Sequence, residues 1–292
     1  MKHPDYNSPT ELKEFLSANG MAMQKKFGQN FMVNPSARTR IVDMLELNEG
    51  SKVWEVGPGL GCMTEEILNR GAVLKAFEID RGFISMLHGF FEEEEKSGRF
   101  SIVEGDVLKN WRRELSDGCS ELKLFGNLPY NIAATFIADT IAKGFAFSSC
   151  VFTVQKEVTE RICAGPGSKN YSAFSVLCQW KYDVSQGLEL SAGNFWPRPN
   201  VASQAVLMKR KENPLECSEP DRFVSLVHAL FSSRRKTVMN NIKSVLPQGL
   251  SAEEVLKDAG ISPMERAENL SVGDFILLSQ TVSSAIMAKD ER

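Results

Sequence analysis

The sequence has little to give a metal ion or a disulfide. Its three histidines, His3, His88 and His228, do not cluster. Its six cysteines, at 62, 119, 150, 163, 178 and 217, show no metal-like pairing. Their spacing argues against a zinc site, a catalytic histidine and a disulfide framework, and fits a reduced, cytoplasmic setting. Long hydrophobic runs are also missing. No stretch approaches the length of a membrane span, and residues 1–10 are too polar for a signal peptide. Nor is there an excess of positive charge: 34 Lys and Arg against 37 Asp and Glu leave a formal net charge of -3. That excludes a uniformly basic nucleic-acid binder, so local patches must carry any such contact. No internal repeat or low-complexity segment is visible.

What is there is an ordinary globular composition, 42% hydrophobic, over 292 residues. This suits one α/β domain plus a second small one. The chain is organised around Val53 to Gly61, where an apolar strand, Lys52–Val56, runs into Gly57, Gly59 and Gly61. Glycines at a strand–helix corner let backbone approach a ligand where a Cβ would clash. From Lys52 to about Thr153 strands and helices alternate, which predicts parallel βαβ units. Later strands end at Glu78, Asp106 and Asn127. In a doubly wound sheet these ends share the ligand-binding edge, and together they describe an adenosine-shaped site.

Residue 62, where a pyrophosphate-binding glycine motif would place its last glycine, is Cys62. The corner therefore suits a ligand without a pyrophosphate. Glu78 sits where a strand-end carboxylate can grip ribose hydroxyls, and Asp106 can accept from an exocyclic adenine amine. The pentapeptide Gly126-Asn127-Leu128-Pro129-Tyr130 suits chemistry on adenine N6, whose lone pair is delocalised into the ring. Accepting both N–H protons, through the Asn127 side chain and the Leu128 backbone carbonyl, localises that pair. Pro129 fixes the turn, and Tyr130 can stack on the base.

Past Arg210 the composition shifts. Residues 211–220 read as a linker, followed by helical patterns at 222–231, 236–246, 253–259 and 273–286. A helix over 171–177 and strands over 180–190 and 202–208 precede them. Candidate phosphate contacts are Lys25 and Lys26 beside Phe27, then Arg198, then Arg234, Arg235 and Lys236 on the 236–246 helix and just before it.

These motifs, with Gln29-Asn30-Phe31-Met32, Val154-Gln155-Lys156-Glu157-Val158, the Phe195–Pro199 loop and Arg234-Arg235-Lys236-Thr237, resemble those of the ribosomal RNA adenine N6,N6-dimethyltransferases of the small subunit. They occur in the family's order over nearly the whole chain. The resemblance implies a class I, Rossmann-like, mostly parallel seven-stranded fold that binds S-adenosylmethionine. It implies a catalytic domain over 1–210, with 1–34 as a cofactor and RNA loop region, and a helical RNA-binding domain over 211–292. It places Asn30, Met32, Gly57, Gly59, Glu78, Asp106 and Asn127 at the cofactor. Asn127, Leu128, Pro129, Tyr130 and Phe195 fall at the target base, Phe195 stacking on its second face. Arg234 to Lys236 lie across from the nucleotide pocket in that family. The implied substrate is small-subunit RNA within an immature 30S particle, met by a monomer without metal or membrane.

The chain departs from the family at Met32, where leucine is usual. It also departs in Phe195-Trp196-Pro197-Arg198-Pro199, where a run of prolines is common, and at Ala202, where an aspartate often stands. Rival readings are a nicotinamide oxidoreductase, a methylase of large-subunit RNA, and an assembly factor whose catalysis is dispensable.

Overall fold

The first two helices start where a short polar side chain can accept an otherwise unpaired backbone N–H. Ser8 Oγ accepts from Glu11 at 3.2 Å to open α1 (Pro9–Ala18). Asn34 Oδ1 accepts from Ala37 at 3.1 Å to open α2 (Pro35–Asp43), just after the two-residue strand β1 (Phe31–Met32). These features belong to a computed structural model that describes residues 1–21, 30–115, 121–127 and 130–290, with the backbone at 130, 131 and 290.

A seven-stranded sheet follows in the order β4-β3-β2-β5-β6-β9-β7. Its parallel strands are β2 (Lys52–Val56), β3 (Val73–Glu78), β4 (Phe100–Glu104), β5 (Lys123–Gly126) and β6 (Ser149–Gln155). The order reverses at β2, which lies between β3 and β5, the switch point at whose carboxyl ends sheets of this kind bind ligands. Strands β7 (Tyr182–Leu190) and β9 (Ser203–Arg210) complete it, with β9 antiparallel to β6. The expected fold class is the observed one. Helices α3 (Cys62–Leu68), α4 (Arg81–Phe90) and α6 (Val107–Glu114) follow β2, β3 and β4. Leu60, Ile67, Leu74, Phe83 and Leu87 join the core they enclose.

The chain packs into two units. One holds 1–136, 147–159 and 185–209; the other holds 137–146, 160–184 and 210–292. The division thus differs from a single cut at 210, because the second unit also takes in 137–146 and 160–184. Within it, α9 (Ala173–Lys181) joins α10 (Pro220–Leu230) in one core: Trp180 packs on Phe223 with ring centroids 4.6 Å apart, and its indole N–H donates to the Leu215 carbonyl at 2.8 Å. That corrects the strand expected from residue 180, which begins at Tyr182. The burial gained by a Trp on a helix outweighs the β-propensity of its neighbours. The helix expected over 236–246 shrinks to α11 (Val238–Ile242), leaving Arg234 to Lys236 in the turn before it. The last helix, α13, runs longer than expected, over Val272–Asp290.

Candidate functional site

The corner after β2 is shaped by backbone. Gly57, Gly59 and Gly61 have φ of 74°, 58° and 88°, in the left-handed region that favours glycine. At Gly61 a Cβ would stand 2.7 Å from the Phe91 ring and 3.0 Å from Leu87. At Gly59 it would meet the Phe31 ring at 3.0 Å. Phe31 is itself held by β1, which pairs antiparallel with β8 (Phe195–Trp196), and its ring stacks against Trp196 at 6.3 Å. From the other side Tyr6 donates its buried hydroxyl to the Leu60 carbonyl at 2.7 Å.

Two buried carboxyl groups flank this corner. Glu78, 6% exposed, accepts from the N–H groups of Ile79 and Asp80 through Oε1, at 2.8 and 2.9 Å, and of Gly59 through Oε2 at 3.1 Å. Burial raises its pKa, and those amides work against the rise. Glu55, 1% exposed, has the Thr64 hydroxyl at 2.6 Å. Burial pushes its pKa up to about 8, so it is mainly a neutral acid at pH 7. Asp106 caps α6 through Oδ1, which accepts from Leu108 at 3.0 Å.

The edge after β5 is built from side chains instead. Asn127 donates through Nδ2 to the Asn30 carbonyl at 3.0 Å and accepts at Oδ1 from the Thr153 hydroxyl at 2.5 Å. So Asn30 reaches the site through its backbone carbonyl. Leu128 and Pro129 lie outside the described residues, as do Lys25 and Lys26; Tyr130 opens α7 (Tyr130–Ala142).

Three of the expected residues have other partners in the structure. Phe195, 4% exposed, joins the core cluster. Its strand register opposite Met32 turns it inward. Met32 is likewise fully buried, so its side chain serves the core while its carbonyl accepts from Arg38 Nη1 at 2.9 Å. Arg234 is committed within its own unit: Nε and Nη2 donate to Glu268 Oε2 at 3.1 and 2.8 Å, and Nη1 to the Lys169 carbonyl at 2.6 Å. Arg235, Lys236 and Arg198 remain exposed.

Sequence reasoning passed over Thr153 and Thr64. The one hint of the first was a hydroxyl inside the apolar run Cys150 to Val154.

The family model for ribosomal RNA adenine dimethylase matches residues 20–283. The chain belongs to the ribosomal RNA adenine dimethylase family. Curated relatives named ribosomal RNA small subunit methyltransferase A agree. That of Treponema denticola is 48% identical over 96% of both chains. That of Treponema pallidum is 42% identical over 97% of this chain and 99% of its own. Among solved structures, a dimethyladenosine transferase from Plasmodium falciparum superposes with TM-score 0.68 at 24% identity, covering 84% of this chain and 94% of its own. The 23S rRNA methyltransferase ErmE gives 0.60 at 20%, covering 86% of this chain and 98% of its own. These two share the fold of the adenine dimethylase.

Proposed function

We propose that the protein transfers methyl groups from S-adenosylmethionine to N6 of two adjacent adenosines in the hairpin loop near the 3′ end of small-subunit ribosomal RNA, giving N6,N6-dimethyladenosine. The observation that carries this reading is the near-full-length similarity to relatives named for the small subunit, at up to 48% identity. That also favours it over large-subunit RNA, and family membership displaces the nicotinamide alternative.

The residues fit the cofactor. Glycine backbone after β2, the Glu78 carboxylate after β3 and Asp106 after β4 offer close approach, hydroxyl acceptors and an amine acceptor on neighbouring strand ends. Gly57 and Gly59 would hold the methionine part, Glu78 the ribose and Asp106 the adenine, while Asn30 and Met32 close the corner. When bound, S-adenosylmethionine supplies a methyl on a positively charged sulfur that departs as a neutral thioether.

The chain's own part is to prepare the nitrogen. Asn127 Oδ1 keeps a lone pair beyond the one Thr153 uses, and that pair accepts one N6 proton. The Leu128 carbonyl accepts the other, and Tyr130 stacks on the base. Positive charge developing on N6 is met by these oriented dipoles, and its proton leaves to water, so no strong base is needed. Arg198, Arg235 and Lys236 contact phosphates, and residues 211–292 serve RNA binding. The working form is a cytoplasmic monomer on an immature small subunit.

The test is transfer of labelled methyl from S-adenosylmethionine to small subunits lacking the modification. Two methyls on each of two adjacent adenosines, lost in Asn127→Ala, is the expected result. Label confined to large-subunit RNA would defeat the proposal.

A further inference from the structure

We propose that Thr153 is a positioning residue for methyl transfer: its hydroxyl fixes the orientation of the Asn127 amide that prepares the target nitrogen. This rests on the adenosine-methylating reading above. The strand register brings the pair together. Gly126 of β5 is the partner of Phe152 of β6, so the next residues outward, Asn127 and Thr153, come side by side at the ligand edge. Their side chains meet at 2.5 Å.

Hydrogen-bonding chemistry then decides which way the amide points. The Asn30 carbonyl can only accept, so the Asn127 atom 3.0 Å away must be Nδ2. Oδ1 therefore faces Thr153, whose hydroxyl must donate. Both ends of a planar group are thereby tied, one to a loop carbonyl and one to a strand, which blocks the flip that would offer N–H groups to the substrate amine. Thr153 is 3% exposed in a strand otherwise made of Ser149, Cys150, Val151, Phe152, Val154 and Gln155. A hydroxyl in so apolar a stretch costs free energy unless it is paired, and its partner here is the residue the chemistry depends on.

The test compares Thr153→Val, which keeps shape and deletes the donor, with Thr153→Ser, which keeps the donor. Thr153→Val is expected to lower kcat about tenfold, while KM for the RNA particle and affinity for S-adenosylmethionine stay within about twofold. Thr153→Ser is expected to restore most of kcat. Equal losses in both variants, or a parallel loss of cofactor affinity, would make Thr153 a packing residue and overturn the proposal, as would an unchanged kcat in Thr153→Val. A second readout does not depend on activity. In 15N-labelled protein, the Asn127 side-chain amide signals, identified by their absence in Asn127→Ala, should be sharp in wild type and Thr153→Ser, and shifted or broadened in Thr153→Val. Unchanged signals in Thr153→Val would overturn the positioning role. Wild-type protein that methylates no adenosine would instead defeat the functional reading beneath it.

Discussion

Two neighbouring strand ends on one edge of the sheet are built on opposite plans. After β2 the surface is backbone: glycines at positive φ, backed by the Phe31 and Phe91 rings and tied to Glu78. After β5 it is a neutral side-chain amide held by a hydroxyl and a carbonyl. The first shares its atoms with the core, so it cannot change without disturbing the fold. The second hangs from the fold by two hydrogen bonds and can change while the fold stands.

Substitutions can break that contrast. Asn127→Ala should lower methyl transfer by about 10²- to 10³-fold, as expected for a preorganised dipole lost from the reacting centre. Its stability should fall by only about 1 kcal/mol, because the buried Thr153 hydroxyl loses its acceptor. Gly61→Ala should do the reverse, costing about 3 kcal/mol of stability from the positive φ and the clash with Phe91, read by chemical denaturation. If Gly61→Ala kept its stability, or Asn127→Ala lost as much as Gly61→Ala, the contrast would fail.

Glu55 sharpens the comparison through pH. Its folded pKa, about 8, lies above the ordinary carboxyl value of 4.5, so the folded state holds a proton that the unfolded state has released between those values. Stability from this group is therefore full below about 4.5 and falls as pH rises towards about 8, by on the order of 1 kcal/mol per pH unit. Thermal unfolding of Glu55→Gln across that window should show a flatter slope than wild type.

The smallest effect separates neighbouring arginines. Arg235→Ala should weaken binding to small-subunit RNA and reduce the salt slope by about one. Arg234→Ala should change that slope less, because its guanidinium is already spent on Glu268 and the Lys169 carbonyl.

The same contrast explains what the sequence made legible. Glycines on alternate positions and strand-end acids are local signals, so the corner, the alternation of strands and helices up to β6 and the strand-end place of Glu78 could be read directly. Pairings across long separations left no such trace. Nothing in Arg234 announces a partner at Glu268, and a threonine in an apolar strand reads as one more buried residue until β5 and β6 are set side by side. Phe195 was placed by its motif, but its burial depends on two-residue strands too short for any periodicity to register. Trp180 joined a helix because Phe223, far along the chain, supplied the surface for it.

The pairing of β1 with β8 also sets an order of events during synthesis. Phe31, the wall behind Gly59, gets its strand partner from Trp196, more than half the chain later. β9, which pairs with β6, comes later still. A nascent chain can make the glycine corner early but has no β8 with which to pin Phe31. Long-range pairing of this kind is slow to form. The glycine corner therefore gets its full bracing only after about two-thirds of the protein has been made, and a ribosome stalled before residue 195 would carry a glycine loop with no β8 to brace its wall.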